Sequence, residues 1–137
     1  PVLNLLQLYF EPVDTINFMP QLFLQPVSGQ SAKHTLISYG LGDTFTPNQT
    51  GVAAIRAAGA HLIRPVIETI PYVGELDAPV RGNRLGGNIT EGVIQLEPDG
   101  DYDGHFVLTS HPDGVTVYTT FLGTLDTDAQ SIPTIPS

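Results

Sequence analysis

The passage that most constrains this chain is Thr35-Leu-Ile-Ser38 running into Tyr39-Gly-Leu-Gly-Asp43-Thr-Phe-Thr-Pro47. A continuous apolar run, unlike an alternating one, suits a strand covered on both faces, as in a parallel sheet. We expect such a strand over about 34–39, ending in a short glycine-containing loop with a carboxylate at its tip. A helix should open next: Thr46 fits its N-cap, Pro47 its first helical position and Gln49 the third position of a capping box. Val52, Ala53, Ile55 and Ala57 form its packing face, and Gly59 ends it. Strand, loop and helix in that order predict an α/β domain, whose functional groups gather at the carboxyl ends of the strands.

The flanking segments are read against that unit. Residues 2–10 are apolar and compatible with a helix, with Leu3, Leu6 and Phe10 on one face. Pro12, Pro20 and Pro26 punctuate an irregular stretch whose Phe18, Met19, Leu22, Phe23 and Leu24 should pack onto a larger body. A second apolar run covers Leu62 to Pro71, and a third gives a strand over 92–97. Residues 71–90, with the glycine-rich Arg81-Gly-Asn-Arg84-Leu-Gly-Gly87, are expected as an exposed excursion, a hairpin over the site. Over 112–125, Val115, Tyr118, Leu122 and Leu125 fit a helix, while Val115, Val117, Thr119 and Phe121 alternate as in a strand. Pro112 after Ser110 favours the helix start. The tail from Ser131 to Ser137 reads as extended.

Composition narrows the partners. Five cations against a net charge of −9 exclude the clustered positive charge that nucleic acid or an anionic membrane surface demands. With no cysteine there is neither a disulfide framework nor a thiolate metal site. No apolar run approaches the roughly 20 residues of a membrane span. Pro1-Val-Leu-Asn-Leu-Leu lacks the basic start of a signal peptide, and a chain opening on proline within an apolar pattern reads as a processed or excised piece. Asn48-Gln-Thr50 and Asn88-Ile-Thr90 match the glycosylation sequon, a pattern short enough to arise by chance.

Asp43 taken alone is explained by the favourable position of an anion near a helix N-terminus. His105, in Tyr102-Asp-Gly-His105, alone is explained by packing or exposure. Together they form an ordered pair, an acid after one strand and a histidine after a later one, the order used by serine hydrolases of the α/β class. The acid in such a pair holds the imidazole in the tautomer that can take a serine proton.

On these residues the chain resembles α/β-hydrolase-fold esterases and lipases. Leu36-Ile-Ser-Tyr-Gly-Leu-Gly-Asp43-Thr-Phe-Thr-Pro47 is similar to their acid-bearing strand and loop, and Asp-Gly-His105-Phe-Val to their histidine loop, which a final helix follows. The resemblance covers about residues 34–125. It implies parallel strands with covering helices, Asp43 as the triad acid, His105 as the general base, a small-molecule or lipid ester as substrate and no cofactor. It also implies a secreted or envelope-associated enzyme. The family's Gly-x-Ser-x-Gly elbow is absent, since Ser28, Ser31, Ser38, Ser110, Ser131 and Ser137 all lack that setting. Ser38 should be structural within its strand. The resemblance therefore makes residues 1–137 the C-terminal part of such a sheet, completed by another chain or by preceding sequence that carries the nucleophile and the oxyanion hole.

The loop before His105 supports a competing reading. Asp99-x-Asp101-x-Asp103-Gly104 has the alternating carboxylates and the glycine of half a calcium loop, although Ser110 stands where an EF-hand needs glutamate. The alternative function is accordingly a non-catalytic acidic β-rich binding module stabilised by calcium, and a solvated acidic turn is the plainer reading. His34, His61 and His111 lack metal-ligand spacing and read as surface or packing residues. Arg81 and Arg84 read as solvated loop charges or as contacts for an anionic group.

Overall fold

The computed structural model describes residues 2–124 and 130–135. Elements follow in the order α1 (Val2–Phe10), β1 (Thr35–Gly40), α2 (Asn48–Ala58), β2 (Leu62–Ile63), β3 (Glu75–Leu76), β4 (Val80–Arg81), β5 (Glu91–Leu96), α3 (Val107–Ser110), α4 (Pro112–Gly123) and β6 (Ser131–Ile132). Strands β1, β5, β2 and β3 lie side by side in that order, all parallel, and β4 pairs antiparallel with β6 in a separate ribbon. The chain is an α/β protein with a four-stranded parallel sheet and covering helices.

Strand β5 is central, and all six of its residues are buried. Its period of two sends Val93 to one face and Ile94 and Leu96 to the other. On the first face Val93 joins Leu62, Tyr39 and Phe23 with Ile55 and Ala58 of α2. On the second, Ile94 and Leu96 join Ile63, Val107, Val117, Phe121 and Ile132. A continuous apolar sequence thus serves two cores at once, and each such side chain taken from water stabilises the fold by roughly 1.5–3 kcal/mol.

Several elements form for the reasons the sequence offers. Helix α2 ends where Gly59 takes the left-handed conformation, φ 66°, and returns its N–H to Arg56 and Ile55. Segment 112–123 is a helix, with Pro112 in its first turn and the His111 side chain accepting from Asp113 N–H. Leu125 lies outside the described residues.

Other expectations need correction. Helix α2 begins at Asn48, with Pro47 at the N-cap and no side-chain capping bond, so the capping box of Thr46 and Gln49 does not form. Its buried residues are Ile55 and Ala58 rather than Ala57. The run from Leu62 yields only a two-residue strand, because Pro65 removes the next ladder donor. Residues 71–90 are not a hairpin over the site. They supply β3 to the far edge of the sheet and β4 to the ribbon with β6, and Val80 and Ile89 are buried. Helix α1 buries none of its residues.

Candidate functional site

Parallel strands β1 and β5 are in direct register from Thr35 opposite Glu91 to Gly40 opposite Leu96, so their carboxyl ends emerge together. The loop after β1 carries Asp43 and the loop after β5 carries His105. They converge because glycines let the backbones touch. A Cβ on Gly40 would lie 1.8 Å from Gly104 O, and one on Gly104 would lie 2.2 Å from Leu41 O and 2.8 Å from Asp43 N. Any other residue at either position would push the two loops apart.

His105 Nδ1 and Asp43 Oδ2 are 3.1 Å apart, within hydrogen-bonding distance. Asp43 Oδ1 accepts from Phe45 N–H at 2.9 Å and Thr46 N–H at 2.7 Å, which fixes the carboxylate plane toward the histidine. The Asp43 side chain is 15% exposed and that of His105 40%, so the imidazole remains open to a reactant. A neutral imidazole donating from Nδ1 to the acid keeps Nε2 as a proton acceptor. Phe45 and Phe106 pack around the imidazole, each with its ring centre 5.1 Å from it.

A cleft of about 230 Å³ adjoins the pair, lined by Ser38, Tyr39, Asp43, Thr46, Asn48 and His105 among others. Asn48 clasps its floor, donating from Nδ2 to Gly40 O at 2.7 Å and accepting at Oδ1 from Gly42 N–H at 3.1 Å. Ser38 lies in β1 as expected, is exposed, and borders the cleft. Tyr39 donates its hydroxyl to Glu68 at 2.8 Å. Burial and then the Glu68 carboxylate push the Tyr39 phenol up to about 12.

Asp103 is tied to its neighbours by its own side chain. Its Oδ2 accepts the Thr44 hydroxyl at 2.6 Å, and its Oδ1 accepts Thr44 N–H at 3.2 Å and His105 N–H at 2.8 Å. The Thr44 hydroxyl first, then the His105 N–H, hold this carboxyl below its ordinary value. Among the described residues no three His, Asp or Glu side chains are arranged to hold a metal ion, so Asp99, Asp101 and Asp103 are not a ligand cluster. Among the same residues no helix is long and apolar enough to cross a membrane.

A second acid–imidazole pair was not legible in the sequence. His61 Nδ1 lies 2.5 Å from Oε1 of Glu91, a fully buried carboxylate. Asn83 Nδ2 and Arg84 Nε donate to the same oxygen at 2.9 and 3.0 Å, and His61 N–H donates to Oε2 at 3.1 Å. Arg84 also donates from Nη2 to Gly59 O. This residue is therefore a structural cation rather than a solvated loop charge or an anion-binding group. His34 accepts from Thr90 N–H at 3.0 Å.

No family model, curated protein or solved structure matches this chain.

Proposed function

We propose that this chain is the acid- and histidine-bearing part of a serine ester hydrolase. One observation carries the reading: Asp43 and His105, from loops after two adjacent parallel strands, meet at 3.1 Å beside an open cleft. Asp43 orients the imidazole through Nδ1. Nε2 takes the proton of a serine hydroxyl as that oxygen attacks the ester carbonyl, and returns it to the leaving alcohol. The resulting acyl-serine is hydrolysed by water that the same histidine activates. The serine and the oxyanion donors come from sequence outside this chain.

Two features support a complementary portion. Strand β1 is an edge of the sheet, and Thr35 N–H and Leu41 N–H both point to β5, at 3.0 Å each. By alternation the backbone groups of Leu36 and Ser38 point to the other side, where no strand lies among the described residues. Helix α1 exposes Leu3, Leu5, Leu8 and Tyr9, an apolar surface of the kind that normally meets protein.

A fluorophosphonate serine probe applied to the native preparation tests the proposal. Labelling of a serine on polypeptide physically joined to or associated with this chain is expected. A native preparation containing every associated polypeptide that takes up no probe would refute it.

A further inference from the structure

We infer that Asp103 is a positioning residue that clasps the Asp43 loop to the His105 loop and thereby sets the geometry of the acid–imidazole pair. Its meaning for catalysis rests on the function proposed above; its test rests on geometry alone.

The two members of the pair stand on separate loops, and neither loop is held in place by the sheet ladder itself. The β1–β5 register ends at Gly40 and Leu96. Beyond it, the backbone bond from Leu41 N–H to Leu96 O is followed by the side-chain links between the loops. Asp103 supplies two links to Thr44 across the gap and one bond within its own loop. It receives the hydroxyl and the N–H of Thr44, the residue next to Asp43, and the N–H of His105 itself. One carboxylate therefore fixes the backbone on both sides of the pair, one residue away on the acid side and directly on the histidine side.

The bond to His105 N–H also makes Asp103 the cap of the 3₁₀ turn Gly104–Phe106 that carries the imidazole. The turn's orientation and the loop-to-loop distance thus depend on the same side chain. Phe45 and Phe106 flank the imidazole from the two loops and lie 5.5 Å apart, so a slip between the loops would open this aromatic contact too. The other loop acids do not share the role: the contact made by Asp99 is a backbone one, its carbonyl accepting from Tyr102 N–H.

The side-chain Nδ1–H of His105 reports the pair directly in the ¹⁵N-labelled chain by NMR, assigned through its disappearance in His105→Gln. In the unaltered protein this proton is expected to be observable and slow to exchange with solvent. Asp103→Ala should speed its exchange by about tenfold or more, the factor that matches a lost charge-assisted hydrogen bond. Asp103→Asn should restore most of the protection, because the amide keeps one acceptor oxygen and gains a donor for the Thr44 hydroxyl. Asp101→Ala should leave the signal unchanged. If Asp103→Ala does not fold, Thr44→Val reads the same clasp from the other loop, with the same direction of change expected.

An unchanged Nδ1–H in folded Asp103→Ala, or in Thr44→Val where Asp103→Ala does not fold, would overturn the assignment. So would the absence of the signal from the unaltered protein. A negative serine-probe result alongside a positive clasp result would sink the hydrolase reading and leave the clasp standing.

Discussion

The sheet carries an acid–imidazole pair at each end. At the carboxyl ends of β1 and β5, Asp43 meets an imidazole that is 40% exposed and borders a cleft. At the amino ends of β5 and β2, Glu91 meets His61, but the carboxylate is fully buried and Asn83 and Arg84 share it. The chemical parts are nearly the same. The difference lies in how much bonding capacity the surroundings consume. Glu91, buried itself, neutralises the half-buried Arg84, so its charge is committed to holding the 83–91 segment to His61. Asp43 spends one oxygen on its own loop and offers the other to a histidine that solvent can reach from the cleft. The contrast thus lies in the carboxylate: one is buried and shared by His61, Asn83 and Arg84, the other serves the more exposed imidazole of His105.

The sharpest way to break this contrast is Asp43→Asn in the assembled protein, read against the ester hydrolysis proposed above. Turnover should fall by as much as ~10⁴-fold, since an amide favours the wrong histidine tautomer, while the melting temperature barely moves. A loss under tenfold would remove Asp43 from its role. The reciprocal change, Glu91→Ala, should act on stability. Removing one member of a buried ionic cluster costs roughly 3–5 kcal/mol, and the lower end is expected because Arg84 and His61 retain some access to water. Urea unfolding would measure it, and a cost below about 1 kcal/mol would mean that the buried pair is no anchor.

Gly104→Ala sharpens the comparison from the backbone side. Its Cβ meets fixed main-chain oxygen rather than a flexible side chain, so we expect a loss of roughly 1–3 kcal/mol together with separation of Asp43 from His105. A crystal structure of the variant with the 3.1 Å contact intact would contradict this.

The smallest effect belongs to Tyr39, near the carboxyl end of β1. Its phenol is pushed up to about 12 in the folded chain from an ordinary value of 10.0. The folded state therefore keeps a proton that the unfolded state sheds, and stability declines as pH rises from about 10 to about 12. Tyr39→Phe should abolish that slope and cost about 1–2 kcal/mol at neutral pH through the lost bond to Glu68. Chemical denaturation across the alkaline range reads both quantities.

Legibility in the sequence followed the range of the interactions. Strand β1, the end of α2 at Gly59 and helix α4 were visible because apolar period and turn residues act over a few positions. The start of α2 was misread because a local cap competes with tertiary bonds: Asn48 ties the loop through Gly40 and Gly42, and no capping box forms. Residues 71–90 looked like an excursion because their partners are remote, with Val80 opposite Ile132 and Glu75 opposite Leu62. His61 looked ordinary because the carboxylate it meets lies 30 residues away. Asp103 looked like part of a calcium loop because alternating acids are a local pattern, whereas its contact with Thr44 spans 59 residues.

By itself the sequence determined the strand–loop–helix unit and the chain order of an acid and a histidine, since both follow from chain geometry and residue type over short distances. Only the tertiary structure decided which carboxylate meets which imidazole. That choice depends on two parallel strands ending side by side, on Gly40 and Gly104 allowing backbones into contact, and on burial, which ties up Glu91 while leaving His105 open.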